Sequence, residues 1–200
     1  MANGETILYF GSFNPIHNGH TAVARYVLEH GLCEELWFVV SPRNPLKPQN
    51  MLAGDLDRLR MTELAVNEQM KGMNVRVSDI EFGLPRPSYT IDTLRHLQRQ
   101  FPEHTFSILT GADILPNIGK WKESEALTSQ YKFYVYPRDG FTLDKIPSYA
   151  VYLNDAPLVN FSSTDVRTAV EAGQDISDMV ADEVGNYIKE NKLWINKNSR

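Results

Sequence analysis

The sequence has one cysteine, Cys33. That excludes an internal disulfide and a zinc site built on several thiolates. It also fits a reducing compartment. There is no basic excess: 20 Lys and Arg stand against 25 Asp and Glu, a formal net charge of −5. This argues against broad nucleic-acid binding through the phosphate backbone. No apolar run approaches the ~18 residues of a membrane span, so no membrane association is expected. The opening residues Met1 to Glu5 lack the basic start and apolar stretch of a signal peptide. The expected location is cytoplasmic. Internal repeats, low-complexity tracts and long charge runs are also missing.

What is present is an ordinary globular composition, 42% hydrophobic and 22% charged, so disorder across most of the chain is not expected. A length of 200 residues suits about one domain. We expect one over 1–200, with a C-terminal helical segment at about 162–193 packed on it. Homo-oligomer formation is left open by the sequence.

Strand and helix patterns alternate. Thr6 to Phe10 is a short apolar run and predicts a first strand. His20 to His30 has helical spacing, with Ala22, Val23, Tyr26 and Val27 on one side. Leu36 to Val40 (LWFVV) is uniformly apolar, as in a strand buried on both faces of a parallel sheet. Helices are predicted over Leu56 to Met70, Thr90 to Phe101, Thr164 to Ala172 and Asp178 to Asn191. Further strands are predicted at Val75 to Val77, Thr105 to Thr110, Lys132 to Tyr136 and Ala150 to Leu153. This alternation predicts an α/β fold, a doubly wound parallel sheet with helices on both faces. The segments of unusual composition are Gly11 to Asn18, Ser41 to Gly54, Phe82 to Ser88 and Gly111 to Lys120. They follow strand ends, where such folds bind ligands.

The first of these loops carries the strongest signal, Gly11-Ser-Phe-Asn-Pro-Ile-His-Asn-Gly-His20. Gly11 lets the backbone approach a ligand closely. Its neighbours Ser12 and Phe13 can then aim backbone N–H groups at an anion, and the helix start adds its positive dipole end. His17 and His20, three apart, fall on one side of a helical turn, with Gly19 keeping the approach open. A purely structural turn is an alternative for this loop. A metal pair is another for the two histidines, but HExxH is absent and no third ligand is near, so no protein-held metal is assigned. GxGxxG is absent, and Gly119-Lys120 is followed by Trp121, so this is neither a dinucleotide fingerprint nor a P-loop.

A second anion site is written in Phe161-Ser-Ser-Thr-Asp-Val-Arg167. Ser162 is a good N-cap, and Ser163 and Thr164 add hydroxyls at the positive helix end. Arg167, one turn on, offers a bidentate fork. A plain capped helix with a surface arginine is the alternative.

Together these segments resemble the two signatures of the nucleotidylyltransferase superfamily, (T/H)xGH after a GxFxP turn and ISSTxIR. The resemblance implies a Rossmann-like nucleotidylyltransferase fold. It further implies that the first loop (Gly11, Ser12, Phe13, Gly19) and Ser162, Ser163 and Thr164 cradle ATP phosphates. His17, His20 and Arg167 would act as cationic or donor groups in the transition state. Three further segments resemble the nicotinate mononucleotide adenylyltransferase branch. Ser88-Tyr-Thr-Ile-Asp-Thr93 is similar to its SYTxxT segment, which implies that Tyr89 and Thr90 hold the pyridine nucleotide. Gly111-Ala-Asp113 is similar to its GxD, whose Asp accepts from the adenosine ribose. Trp121 stands where a ring could stack on the pyridine, and Lys47 where a basic residue faces phosphates. The implied substrates are ATP and nicotinate mononucleotide, with magnesium (Mg2+) on the phosphates, yielding nicotinate adenine dinucleotide and pyrophosphate in NAD biosynthesis. Transfer to nicotinamide mononucleotide or pantetheine phosphate is an alternative, as is a nucleotide sensor without turnover.

Overall fold

The computed structural model describes residues 4–42, 52–141 and 145–195. Six strands, β1 (Glu5–Gly11), β2 (Glu35–Val40), β3 (Val75–Ser78), β4 (Thr105–Gly111), β5 (Phe133–Tyr136) and β6 (Ala150–Tyr152), form one sheet. All five pairings are parallel, in the order β3-β2-β1-β4-β5-β6. Leu8 at the centre pairs with Trp37 on one side and Ile108 on the other. The predicted α/β doubly wound sheet is the observed architecture.

Side chains alternating along each strand feed two cores. Ile7 and Tyr9 of β1 and Leu36, Phe38 and Val40 of β2 face one layer. That layer holds helices α1 (Asn18–Glu29), α2 (Asp55–Gln69), α5 (Ser163–Glu171) and α6 (Asp182–Glu190). Leu8, Trp37 and Val39 face the other, with α3 (Thr90–Gln100) and α4 (Ser124–Gln130). The LWFVV run is buried on both faces because every one of its residues has a helix layer over it. Cys33 is buried as well, and that burial pushes its thiol up to about 12; it is an inert core residue.

The chain winds from β1 outward to β3, returns to β4 and winds the other way. That reversal separates the loops after β1 and β4 and opens a cleft at the carboxyl ends of the strands. No helix among the described residues is long and apolar enough to cross a membrane.

Three segments differ from expectation. Gly111 to Lys120, read as loop, is a run of 3-10 turns over Ala112–Lys120 with Pro116 inside it. Proline removes a helix donor and clashes with the preceding turn, so the run never becomes an α-helix. The helix α4 was not predicted: it has seven residues and only Leu127 is buried, so it shows no apolar period. The last helix begins at Asp182 rather than Asp178, since 176–181 makes turns. Lys47 lies outside the described residues.

Candidate active site

The loop after β1 is shaped by close contacts. Phe13 takes a left-handed backbone (φ 42°) and tucks its ring under the loop, 2% exposed. A Cβ on Gly11 would fall 2.6 Å from that ring, so glycine is required there. Phe13 packs edge-on against Tyr9 and His20, with centroids 5.7 and 5.2 Å away. Asn14 is buried, and its Oδ1 accepts the Ala53 N–H at 2.9 Å.

The loop is pinned from below by Arg58 of α2, which is fully buried. Its Nη1 donates to the carbonyls of Ser12 (2.6 Å) and Ser41 (2.7 Å). Nη2 donates to the Pro42 carbonyl at 3.1 Å and to Asp55 Oδ1 at 2.6 Å, and Nε to the Ala53 carbonyl at 3.2 Å. A buried guanidinium is tolerated when its fork is filled and a counter-charge is close. One side chain thus ties together the ends of β1 and β2.

His17 caps α1 and is 4% exposed. Its ring stacks on His20 with centroids 3.6 Å apart. Burial lowers its pKa to about 3, and the charge of Arg138 works in the same direction. The expectation of a cationic His17 therefore narrows: near neutral pH the ring is uncharged and can serve only as a neutral donor. His20 Nδ1 accepts the His17 backbone N–H at 3.2 Å. With Nδ1 accepting, a neutral ring carries its proton on Nε2. His20 lines the main cleft, whereas His17 lies behind it, with Gly19, Pro157 and Val159 around it. A Cβ on Gly19 would meet Val159 Cγ1 at 2.5 Å. Asn18 anchors the turn to the chain's last third, its N–H donating to the Met179 carbonyl at 2.8 Å and its Nδ2 to the Asp178 carbonyl at 3.0 Å.

The start of α5 meets this loop directly. Ser163 Oγ donates to the Pro15 carbonyl at 2.9 Å, and Arg167 Nη1 to the Asn14 carbonyl at 2.7 Å. Ser162 caps the helix as expected, and Asp165 closes a capping box with it. Its hydroxyl donates to Asp165 Oδ2, and Thr164 Oγ1 accepts from Arg167 Nη2 at 3.0 Å. Of the three hydroxyls, Ser163 lines the cleft. Arg167 is 8% exposed and its buried Nε has no partner. Burial lowers its pKa, with Glu171 and Asp165 opposing. It sits behind the loop rather than on the cleft wall.

The cleft itself holds about 500 Å³. Gly11, Ser12, Phe13, Gly111 and Asp113 line it together with His20 and Ser163, and so do Tyr89, Thr90 and Trp121. The residues expected for phosphates, ribose and acceptor thus share one cavity. Sequence reasoning missed Arg138, which follows β5 and lies against Gly111. Its Nε is 3.5 Å from Asp113 Oδ1. It lines both the main cleft and the small recess holding His17. Tyr9 and Tyr136, joined hydroxyl to hydroxyl at 2.9 Å, line the cleft here as well. Glu81, which lines the same cleft, was missed as well. Among the described residues, no group of three or more His, Cys, Asp or Glu is arranged to hold a metal ion.

Comparison with known proteins places this geometry. Residues 8–169 match the family model described as Cytidylyltransferase-like. A Bacteroides fragilis protein named "Probable nicotinate-nucleotide adenylyltransferase" is 44% identical over 88% of this chain and 87% of its own. A Flavobacterium johnsoniae protein of the same name is 38% identical over 94% and 97%. The nicotinic acid mononucleotide adenylyltransferase of Plasmodium falciparum, solved in complex with NaAD, superposes with a TM-score of 0.81 at 23% identity. It covers 95% of this chain and 97% of that one, a likeness of fold. By the family match and by these identities, the chain belongs to the cytidylyltransferase-like family and stands within it among the nicotinate-nucleotide adenylyltransferases.

Proposed function

We propose that this protein transfers the adenylyl group of ATP to nicotinate mononucleotide, giving nicotinate adenine dinucleotide and pyrophosphate in NAD biosynthesis. The observation that carries the reading is the meeting of α5 with the first loop on one cleft. Ser163 and Arg167 bond the carbonyls of Pro15 and Asn14. The same cavity continues to Tyr89 and Trp121. Relatives 35–44% identical to this chain carry the name of that enzyme.

The chemistry needs no covalent intermediate. An oxygen of the mononucleotide phosphate attacks the α-phosphorus of ATP. The new P–O bond forms as the bond to the β-phosphate bridge breaks, and pyrophosphate leaves with the electron pair. The attacking oxygen is already anionic, so no general base is required. Charge is the obstacle: two unit anions at ~4 Å repel by about 4 kcal/mol at an effective dielectric of 20. Positioned donors and cations therefore supply the catalysis. We assign that role to the His20 ring, to the Ser12 and Phe13 backbone, to Ser163 and to Arg138, with Lys47 outside the described residues. His17 contributes as a neutral donor and as the plate on which His20 stacks. Arg167 acts by fixing the Asn14 carbonyl. Asp113 accepts from the adenosine ribose, and Trp121 stacks on the pyridine. Magnesium arrives with ATP as part of the substrate, and a cytoplasmic location belongs to the same reading.

The test is pyrophosphate release with ATP and each of three acceptors: nicotinate mononucleotide, nicotinamide mononucleotide and pantetheine phosphate. Release with the nicotinate form, together with the dinucleotide by chromatography, is expected. ATP binding without release would overturn the reading in favour of a sensor.

A further inference from the structure

Glu81 is the only carboxylate among the described residues that is almost wholly buried, at 2% exposure. It sits in the 3-10 turn Ile80–Gly83 that follows β3, and it lines the cleft between Ser41 and Ser88. Thr93 of α3 donates its hydroxyl to Oε1 at 2.7 Å. The other oxygen, Oε2, is buried with no hydrogen-bond partner, and so is the Ser88 hydroxyl on the same wall. A buried carboxyl is expensive unless its oxygens are filled. Burial pushes this one up, while the Thr93 hydroxyl pulls the other way; the Ser41 and Ser88 hydroxyls line the same cleft.

The three hydroxyls come from three separate pieces of chain. Ser41 follows β2, Ser88 lies in the loop before α3, and Thr93 is in the first turn of α3. None of these pieces pairs in the sheet with β4 or β5. All of them border the part of the cleft that holds Tyr89 and Thr90. Glu81 is therefore placed to join the end of β2 to the start of α3.

We propose that Glu81 is a positioning residue for the acceptor nucleotide: it sets the distance between the Ser41 end of β2 and the Ser88–Thr90 start of α3, and so shapes the acceptor pocket without shaping the ATP pocket. The proposal rests on the reading of Tyr89, Thr90 and Trp121 as the acceptor side. In the bound state the open capacity of Oε2 and Ser88 Oγ is filled by a polar hydrogen of the mononucleotide or of a water it brings.

Steady-state kinetics on purified Glu81→Ala, Glu81→Gln and Thr93→Val, with each substrate varied in turn, tests this. For Glu81→Ala the acceptor KM should rise about tenfold or more, with ATP KM and kcat within about threefold of wild type. Glu81→Gln keeps an oxygen for Thr93 and should return the acceptor KM to within about threefold. If Glu81→Ala does not fold, Thr93→Val, which removes the anchor alone, should still raise the acceptor KM by about threefold with ATP KM unmoved. Equal rises in both KM values would overturn the proposal, as would an acceptor KM unmoved in Glu81→Ala or, failing that, in Thr93→Val. A wild-type enzyme that turns over no pyridine mononucleotide would instead overturn the underlying reading, and this proposal with it.

Discussion

The wall of the cleft built after β4 and β5 keeps its charges near water and paired with one another, whereas the wall built after β2 and β3 buries a carboxylate among hydroxyls. On the first wall Asp113 and Arg138 lie 3.5 Å apart, with side chains 32% and 29% exposed. An ion pair so exposed and so long contributes little, about 0–1 kcal/mol. A ligand can therefore exchange partners with it: ribose hydroxyls for Asp113, phosphate oxygens for Arg138. On the second wall Glu81 is held by Thr93 and is out of water. A group of that kind does not change partners freely. The difference teaches that the two walls can meet a ligand in different ways, the first by exchangeable charges and the second by a fixed shape; on the proposed function the first faces ATP and the second the pyridine end. Between the walls stands the first loop, pinned by Arg58 of α2 and Arg167 of α5.

The largest effect should come from the loop that both walls share. His20→Ala is expected to lower kcat by roughly 10²–10³-fold, the range for a lost transition-state donor. Rapid-quench measurement of dinucleotide formation checks it. Turnover near that of wild type would remove His20 from the mechanism and leave the charged wall to act alone.

Gly19→Ala comes next. The new methyl would press on Val159, which lies at 2.5 Å from the Cβ position. Overpacking of this kind costs about 1–3 kcal/mol. Urea unfolding should show it as a lower midpoint with an unchanged slope. An unshifted midpoint would mean that the segment carrying Val159 moves aside at little cost and is not a fixed part of the loop's support.

Asp113→Ala sharpens the contrast between the walls. Its loss should raise ATP KM by about tenfold while the acceptor KM stays within about twofold. Glu81→Ala should give the reverse pattern. If both variants raised both KM values, the cleft would not be divided as described.

Much of this was legible in the residues and some of it was not, for physical reasons. The strands were readable because LWFVV and its fellows are apolar without interruption, and the first loop because glycine, proline and histidine crowd into ten positions. The N-cap at Ser162 was readable because serine favours that position; the box that Asp165 closes with it came from the structure. Arg58 was not: a single arginine on a helix looks like a solvated surface residue until the chain folds over it. Glu81 and Arg138 were missed for the same reason. Their surroundings are assembled from β2, α3 and β4, which are distant in sequence. His17 was half readable. Its place beside His20 follows from spacing, but its burial draws on Phe161, about 140 residues away, which packs edge-on against its ring, and on a recess shared with Val159.

That burial gives the smallest effect and the finest test of how the charged wall works. The pKa of His17 in the folded chain is about 3, against an ordinary value of 6.5. Between those values the unfolded chain binds the proton and the folded chain does not. Stability from this residue is thus complete above about pH 6.5 and falls as the pH drops below it. From pH 7.5 to 5.5 the loss should be about 1 kcal/mol. His17→Asn cannot titrate there, and the other groups cancel in the difference. The gap in unfolding free energy between wild type and variant should therefore shift by that amount, to the disadvantage of wild type, as the buffer is acidified. A gap independent of pH would mean that His17 keeps a pKa near its ordinary 6.5 in the folded protein and titrates there as it does in the unfolded chain. His17 would then gain a charge beneath His20 as the buffer is acidified, and part of the positive potential there would have to be reassigned from Arg138 to His17.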